Sequence, residues 1–99
     1  MKGGIIMGKD GVSFQNRDTF IQLGIVIATL RKIREMTQDQ LAEKANISRS
    51  HLSAIEAPGM VRGMSLDAFL NIAAALDVAP EYLIRASLFP DDVLNRNDK

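Results

Sequence analysis

TQDQLAEKANISRSHLSAIE, residues 37–56, reads as two short helices joined by a tight turn. Thr37 and Gln40 have the spacing of a capping box, in which hydroxyl and amide satisfy donors left free at a helix start. Leu41, Ala42 and Ala45 then repeat at helical spacing, with Asp39, Gln40, Glu43 and Lys44 turned away from them. Asn46 falls where the helix needs a left-handed exit, a conformation that asparagine tolerates. Ile47 can plug the space between two helices. Ser48 is a good N-cap for a second helix that runs to about Ala57. On that second helix Leu52 and Ile55 share one side, with Glu56 at its edge. A rotation of about 100° per residue gathers Ser50, Ser53, Ala54 and Ala57 on the opposite side, flanked by Arg49 and His51. A small, polar outer face lets a helix backbone come close to a ridged surface, and the major groove of B-DNA is wide enough to admit it.

Upstream, Asp18 or Thr19 can cap a longer first helix, and Gln22 completes a capping-box spacing with Thr19. Phe20, Leu23, Ile27 and Leu30 form its core stripe, Ile21 and Ile25 fall on the opposite side, and Val26 and Ile33 lie on a flank. That is more apolar surface than one buried face requires, which implies contact with the N-terminal segment or a dimer interface. Downstream, Pro58 stops the second short helix, and Gly59 and Gly63 allow a compact bend. Ser65 begins a fourth helix with Asp67 near its positive end and Leu66, Phe69, Leu70, Ile72, Ala73 and Leu76 as core residues. Pro80 suits the first turn of a fifth helix through Tyr82, Leu83 and Ile84 toward Leu88, ended by Pro90. The expected organisation is therefore all-α. Residues 1–17 form an arm or small β-hairpin around Gly8-Lys9-Asp10-Gly11, residues 18–89 the helical domain, and residues 90–99 a C-terminal tail that is polar from Asn95.

The chain of 99 residues is large enough for one helical core and too short for a second catalytic or sensing domain. No cysteine is present, which excludes disulfides, a thiol nucleophile and a cysteine-ligated zinc. No stretch has the length and apolarity of a membrane span or the core of a signal peptide, so a cytoplasmic protein is expected. Formal charge is zero, but from Arg31 to Met64 six Lys or Arg stand against four Asp or Glu, and elsewhere six stand against eight. The positive surplus sits in the segment that contains the helix pair. It is small, which implies moderate DNA affinity per protomer and dependence on dimerisation.

From Leu23 through Leu83 the chain resembles the DNA-binding domain of phage-repressor and Cro type, the XRE family of helix-turn-helix transcriptional regulators. The resemblance rests on Leu23-Gly24, Ile27, Leu30-Arg31, Met36-Thr37-Gln38, Leu41-Ala42, Ile47-Ser48, Ile55-Glu56, Ser65-Leu66, Ile72-Ala73 and Leu76. It implies a compact five-helix repressor-like domain and a structural ion pair between Arg31 and Glu56 that fixes the angle of the recognition helix. It also implies that Arg49, Ser50, Ser53 and Ala54 face base edges, while Gln38, His51 and Arg62 contact phosphates. The chain departs from the family after Glu56, where Ala57-Pro58-Gly59-Met60-Val61-Arg62-Gly63-Met64 is longer than the usual compact Glu-x-Gly turn.

Other chemistry finds little support in the residues. His51 is the only histidine, without further ligands for a metal, and the serines around it sit on a convex helix without an oxyanion hole. No catalytic residue, cofactor or metal is expected. The leading expectation is a sequence-specific double-stranded DNA-binding regulator, a repressor acting as a homodimer on a palindromic operator. The alternative keeps the fold but makes a protein partner primary: an antitoxin that binds a toxin and represses its own operon.

Overall fold

The computed structural model describes residues 11–89. A 3-10 turn over Phe14–Asn16 runs into α1 (Arg17–Ile33), followed by α2 (Gln38–Ala45), α3 (Arg49–Glu56), α4 (Leu66–Ala75) and α5 (Pro80–Leu88). No extended strand occurs among the described residues, and the first half of the expected hairpin lies outside them. No described helix is long and apolar enough to cross a membrane.

Helix starts follow local chemistry. Thr37 Oγ1 accepts from the Gln40 amide at 3.0 Å while Gln40 Oε1 accepts from the Thr37 amide at 2.8 Å, closing the capping box. Ser48 and Ser65 cap α3 and α4, their hydroxyls accepting from the amides of His51 and Ala68. Pro80 is the first residue of α5, where its missing N–H costs nothing. The first helix corrects expectation. Neither Asp18 nor Thr19 caps it, because the preceding 3-10 turn already supplies carbonyls, Phe14 accepting from Arg17, and α1 starts at Arg17.

Three helices end alike. Glu35, Asn46 and Asp77 adopt left-handed φ values of 60°, 58° and 60°. In each case the next amide reaches back a full turn: Met36 to the Arg31 carbonyl, Ile47 to Ala42 and Val78 to Ala73, all at 3.0 Å. This is the Schellman exit, and its apolar closing residue packs under the helix end. Met36, Ile47 and Val78 all pack against the core. None of the left-handed residues is glycine, and a glutamate there is strained. Glu35→Gly is therefore expected to stabilise the domain by up to about 1 kcal/mol, read as a higher urea midpoint at unchanged slope. An unchanged or lower midpoint would contradict this assignment of strain.

The core joins Leu23, Val26, Ile27 and Leu30 of α1 to Leu41, Leu52, Ile55, Ile72, Leu76 and Leu83 of the other four helices. α1 packs against both α3 and α5, and α2 against α3 and α4. α1 nevertheless buries a single apolar stripe, Leu23, Val26, Ile27 and Leu30, with Gly24 beside it. Val26, expected on a flank, is fully buried, whereas Phe20 is only half-buried and Ile25 and Ile33 remain exposed. On α4 the core face is Ala68, Phe69, Ile72, Ala73 and Leu76. Leu66 and Leu70, expected in the core, are instead exposed, since they lie about 90° and 130° around the helix from that face.

Candidate nucleic-acid interface

α3 has one buried face, Leu52, Ile55 and Glu56, and its opposite face carries exposed Arg49, Ser50 and Ser53 with half-buried Ala54 and Ala57. Amphipathic patterning alone would orient the helix, but two further features fix its height and angle. Gly24 of α1 is buried against α3, and a Cβ there would overlap the Ile55 carbonyl oxygen and lie 3.3 Å from its carbon. The two backbones meet because this residue has no side chain.

The second feature is a buried polar cluster at the last turn of α3. Arg31 Nε donates to Glu56 Oε2 at 2.8 Å and Nη2 to Oε1 at 3.0 Å, a fork that matches the planar carboxylate. Nη1 donates to the Met36 carbonyl at 2.7 Å, and Gln38 Nε2 donates to Glu56 Oε1 at 3.0 Å. The side chains of Arg31 and Glu56 are only 11% and 4% exposed, so the charges depend on each other and on these bonds. α1, the turn after it, α2 and α3 are thereby tied at one point. Arg34 adds a separate tie, its Nε donating to the Leu76 carbonyl at the end of α4 at 2.9 Å.

The structure divides the sequence-predicted residues into two groups. Gln38, Arg49, Ser50 and Ser53 belong to the α2–α3 surface, with Gln38 half-buried and bonded to Glu56 rather than free at the surface. Ser50 Oγ lies 3.3 Å from the Ser48 hydroxyl. His51 and Arg62 line a shallow depression of about 630 Å³ with Phe20, Gly63, Met64 and Ser65. There His51 Nε2 lies 3.4 Å from the Gly63 carbonyl oxygen, joining α3 to the long loop. Gly59 supplies the loop's left-handed bend at φ 77°, and Val61 is buried while Arg62 is exposed. Sequence reading missed Asp39, whose Oδ1 lies 3.6 Å from Arg49 Nε. The signal was indirect, since both residues stand in first turns of helices that meet at this surface.

A protein-family model described as Helix-turn-helix matches residues 27–83. An immunity repressor protein of Bacillus phage phi105 is 40% identical over 67 residues, which cover 64% of this chain and 46% of the repressor. The chain thus spans less than half the length of that relative. Among solved structures, the restriction-modification controller protein C.AhdI from Aeromonas hydrophila is 31% identical with a TM-score of 0.60, over 65% of this chain and 94% of the controller. The master regulator for biofilm formation SinR, solved in complex with DNA, is 32% identical with a TM-score of 0.58, over 63% of this chain and 97% of that one.

Proposed function

This chain belongs to the XRE-type helix-turn-helix family, and from that membership we propose that it is a sequence-specific, non-catalytic regulator of transcription, a repressor acting as a homodimer on an inverted repeat. The observation that carries the reading is the division of α3: an inner face locked by Gly24 and Glu56, and an outer face of Arg49, Ser50 and Ser53 with no bulky apolar side chain. Such a helix can seat its N-terminal half in a major groove. Arg49 then meets guanine O6 and N7, Ser50 and Ser53 bond base edges or phosphate, and Ala54 touches a thymine methyl. His51 and Arg62 flank this face and hold the phosphate backbone, which sets register without reading sequence, while the Gln38 amide is taken up by Glu56 and Arg49. Exposed Ile84, Leu88 and Phe89 at the end of α5 supply apolar surface for a second copy. Two copies would place their α3 helices in half-sites roughly 34 Å apart.

The relatives are a phage repressor, a restriction-modification controller and a biofilm regulator, which favours this reading over the antitoxin alternative. Arg49→Ala is expected to reduce discrimination at one base pair of each half-site by about 1–3 kcal/mol. Arg62→Ala should instead weaken binding uniformly and make the salt slope shallower by about one for each phosphate it no longer neutralises. Titrations of matched and single-substitution duplexes at several salt concentrations separate the two effects. Equal, sequence-independent weakening by both variants would remove Arg49 as a reader.

A further inference from the structure

Arg49 is held within its own chain. Its Nε lies 3.6 Å from Asp39 Oδ1 and its Nη2 lies 3.5 Å from Gln38 Oε1. The amide of Gln38 has a defined orientation, because the Glu56 carboxylate can only accept and takes its Nε2 at 3.0 Å, leaving the oxygen for Arg49. A guanidinium is planar, with Nε–H and one Nη2–H on a single edge. α2 engages that edge. The Nη1–Nη2 end remains for an acceptor outside the protein.

Asp39 is the anomaly of this surface. It is 74% exposed and places a negative charge where phosphates would approach. Its position in the first turn of α2 is favourable for a carboxylate, but that does not account for its pairing with Arg49. Arg49 is the first residue of α3, where the helix dipole disfavours a cation, and Asp39 offsets that charge. An exposed pair of this kind adds little to folding.

We propose that Asp39 is a specificity-determining positioning residue: with Gln38 it braces the Nε–Nη2 edge of Arg49, so that the arginine meets guanine end-on and is discouraged from pairing with phosphate. The proposal rests on the reading of α3 as the base-contacting helix. Asp39 touches no base. It acts through Arg49, raising the ratio of specific to non-specific binding rather than affinity as such.

The test is a double-mutant cycle in the full chain with Asp39→Asn, Arg49→Ala and the double variant. Each is titrated against the duplex that the wild type enriches and against a scrambled duplex of equal length. Asp39→Asn should lower the wild-type specificity ratio by about tenfold, chiefly through tighter scrambled-duplex binding with a steeper salt dependence. In the Arg49→Ala background the same substitution should leave the ratio unchanged. If Asp39→Asn tightens both duplexes by one common factor in both backgrounds, Asp39 is only a surface charge and the proposal is overturned. If the wild type discriminates between no duplexes, the reading of α3 itself fails and this proposal falls with it. Discrimination by the wild type that survives Asp39→Asn unchanged overturns the proposal alone.

Discussion

Glu56→Ala is expected to destabilise the domain by about 3–5 kcal/mol, because it leaves the Arg31 guanidinium largely buried without its counter-charge. The damage extends beyond one pair. Gln38 Nε2 is deprived of its acceptor, and the Arg31 guanidinium keeps only the Met36 carbonyl as a partner. For a domain whose total stability is on the order of 5–15 kcal/mol, this is a large fraction. Thermal unfolding should fall by about 15 °C or more. Arg31→Met combined with Glu56→Leu removes both charges and should recover part of the stability. Recovery stays incomplete, since the Met36 carbonyl still lacks the donor that Arg31 provides at 2.7 Å. A single variant with wild-type melting would show that the cluster does not bear on stability.

Gly24→Ala should cost about 3 kcal/mol, at the upper end of overpacking effects. Alanine is normally the better helix former by about 1 kcal/mol, so the sign here opposes propensity. The reason is that the obstructing atom is the Ile55 carbonyl oxygen, part of a helix backbone that cannot rotate aside like a side chain. Relief requires α3 to lift from α1. That movement would tilt the outer face of α3 and stretch the Arg31–Glu56 fork, so operator binding should weaken even when temperature is lowered to keep the variant folded. Alanine at Gly24 with unchanged stability would contradict the close approach of the two helices.

Features set by neighbouring residues were legible in the sequence. The capping box of Thr37 and Gln40, the left-handed exit at Asn46, the caps Ser48 and Ser65 and the start at Pro80 each need only a few residues of context. The exits at Glu35 and Asp77 escaped notice because neither is a residue that signals a positive φ. There the apolar residue that follows, Met36 or Val78, draws the chain into the turn by packing on the core. Periodicity also failed at Leu66, Leu70 and Val26. A helical stripe says which residues share a side but not where neighbouring helices stop covering it. α1 leaves Ile25 and Ile33 uncovered, and α4 leaves Leu66 and Leu70 uncovered.

At the candidate interface, the types of residue were readable and their couplings were not. Arg49 stood out as a cation on a small polar face, yet its pairing with Asp39 and Gln38 joins residues eleven or fewer apart through two different helices. Gln38 was expected to touch phosphate, and the structure places its amide between Glu56 and Arg49. Such bridges depend on how the two helices cross, which the linear pattern does not specify.

Whether a dimer reads DNA through α3 is decided by selecting bound duplexes from a random library with the wild-type protein, at a stated salt concentration because phosphate binding makes affinity salt-dependent. An enriched inverted repeat whose half-sites are centred about one helical turn apart is the expected result. A folded protein that enriches no sequence, or only single unpaired half-sites, would contradict a dimeric regulator of this kind.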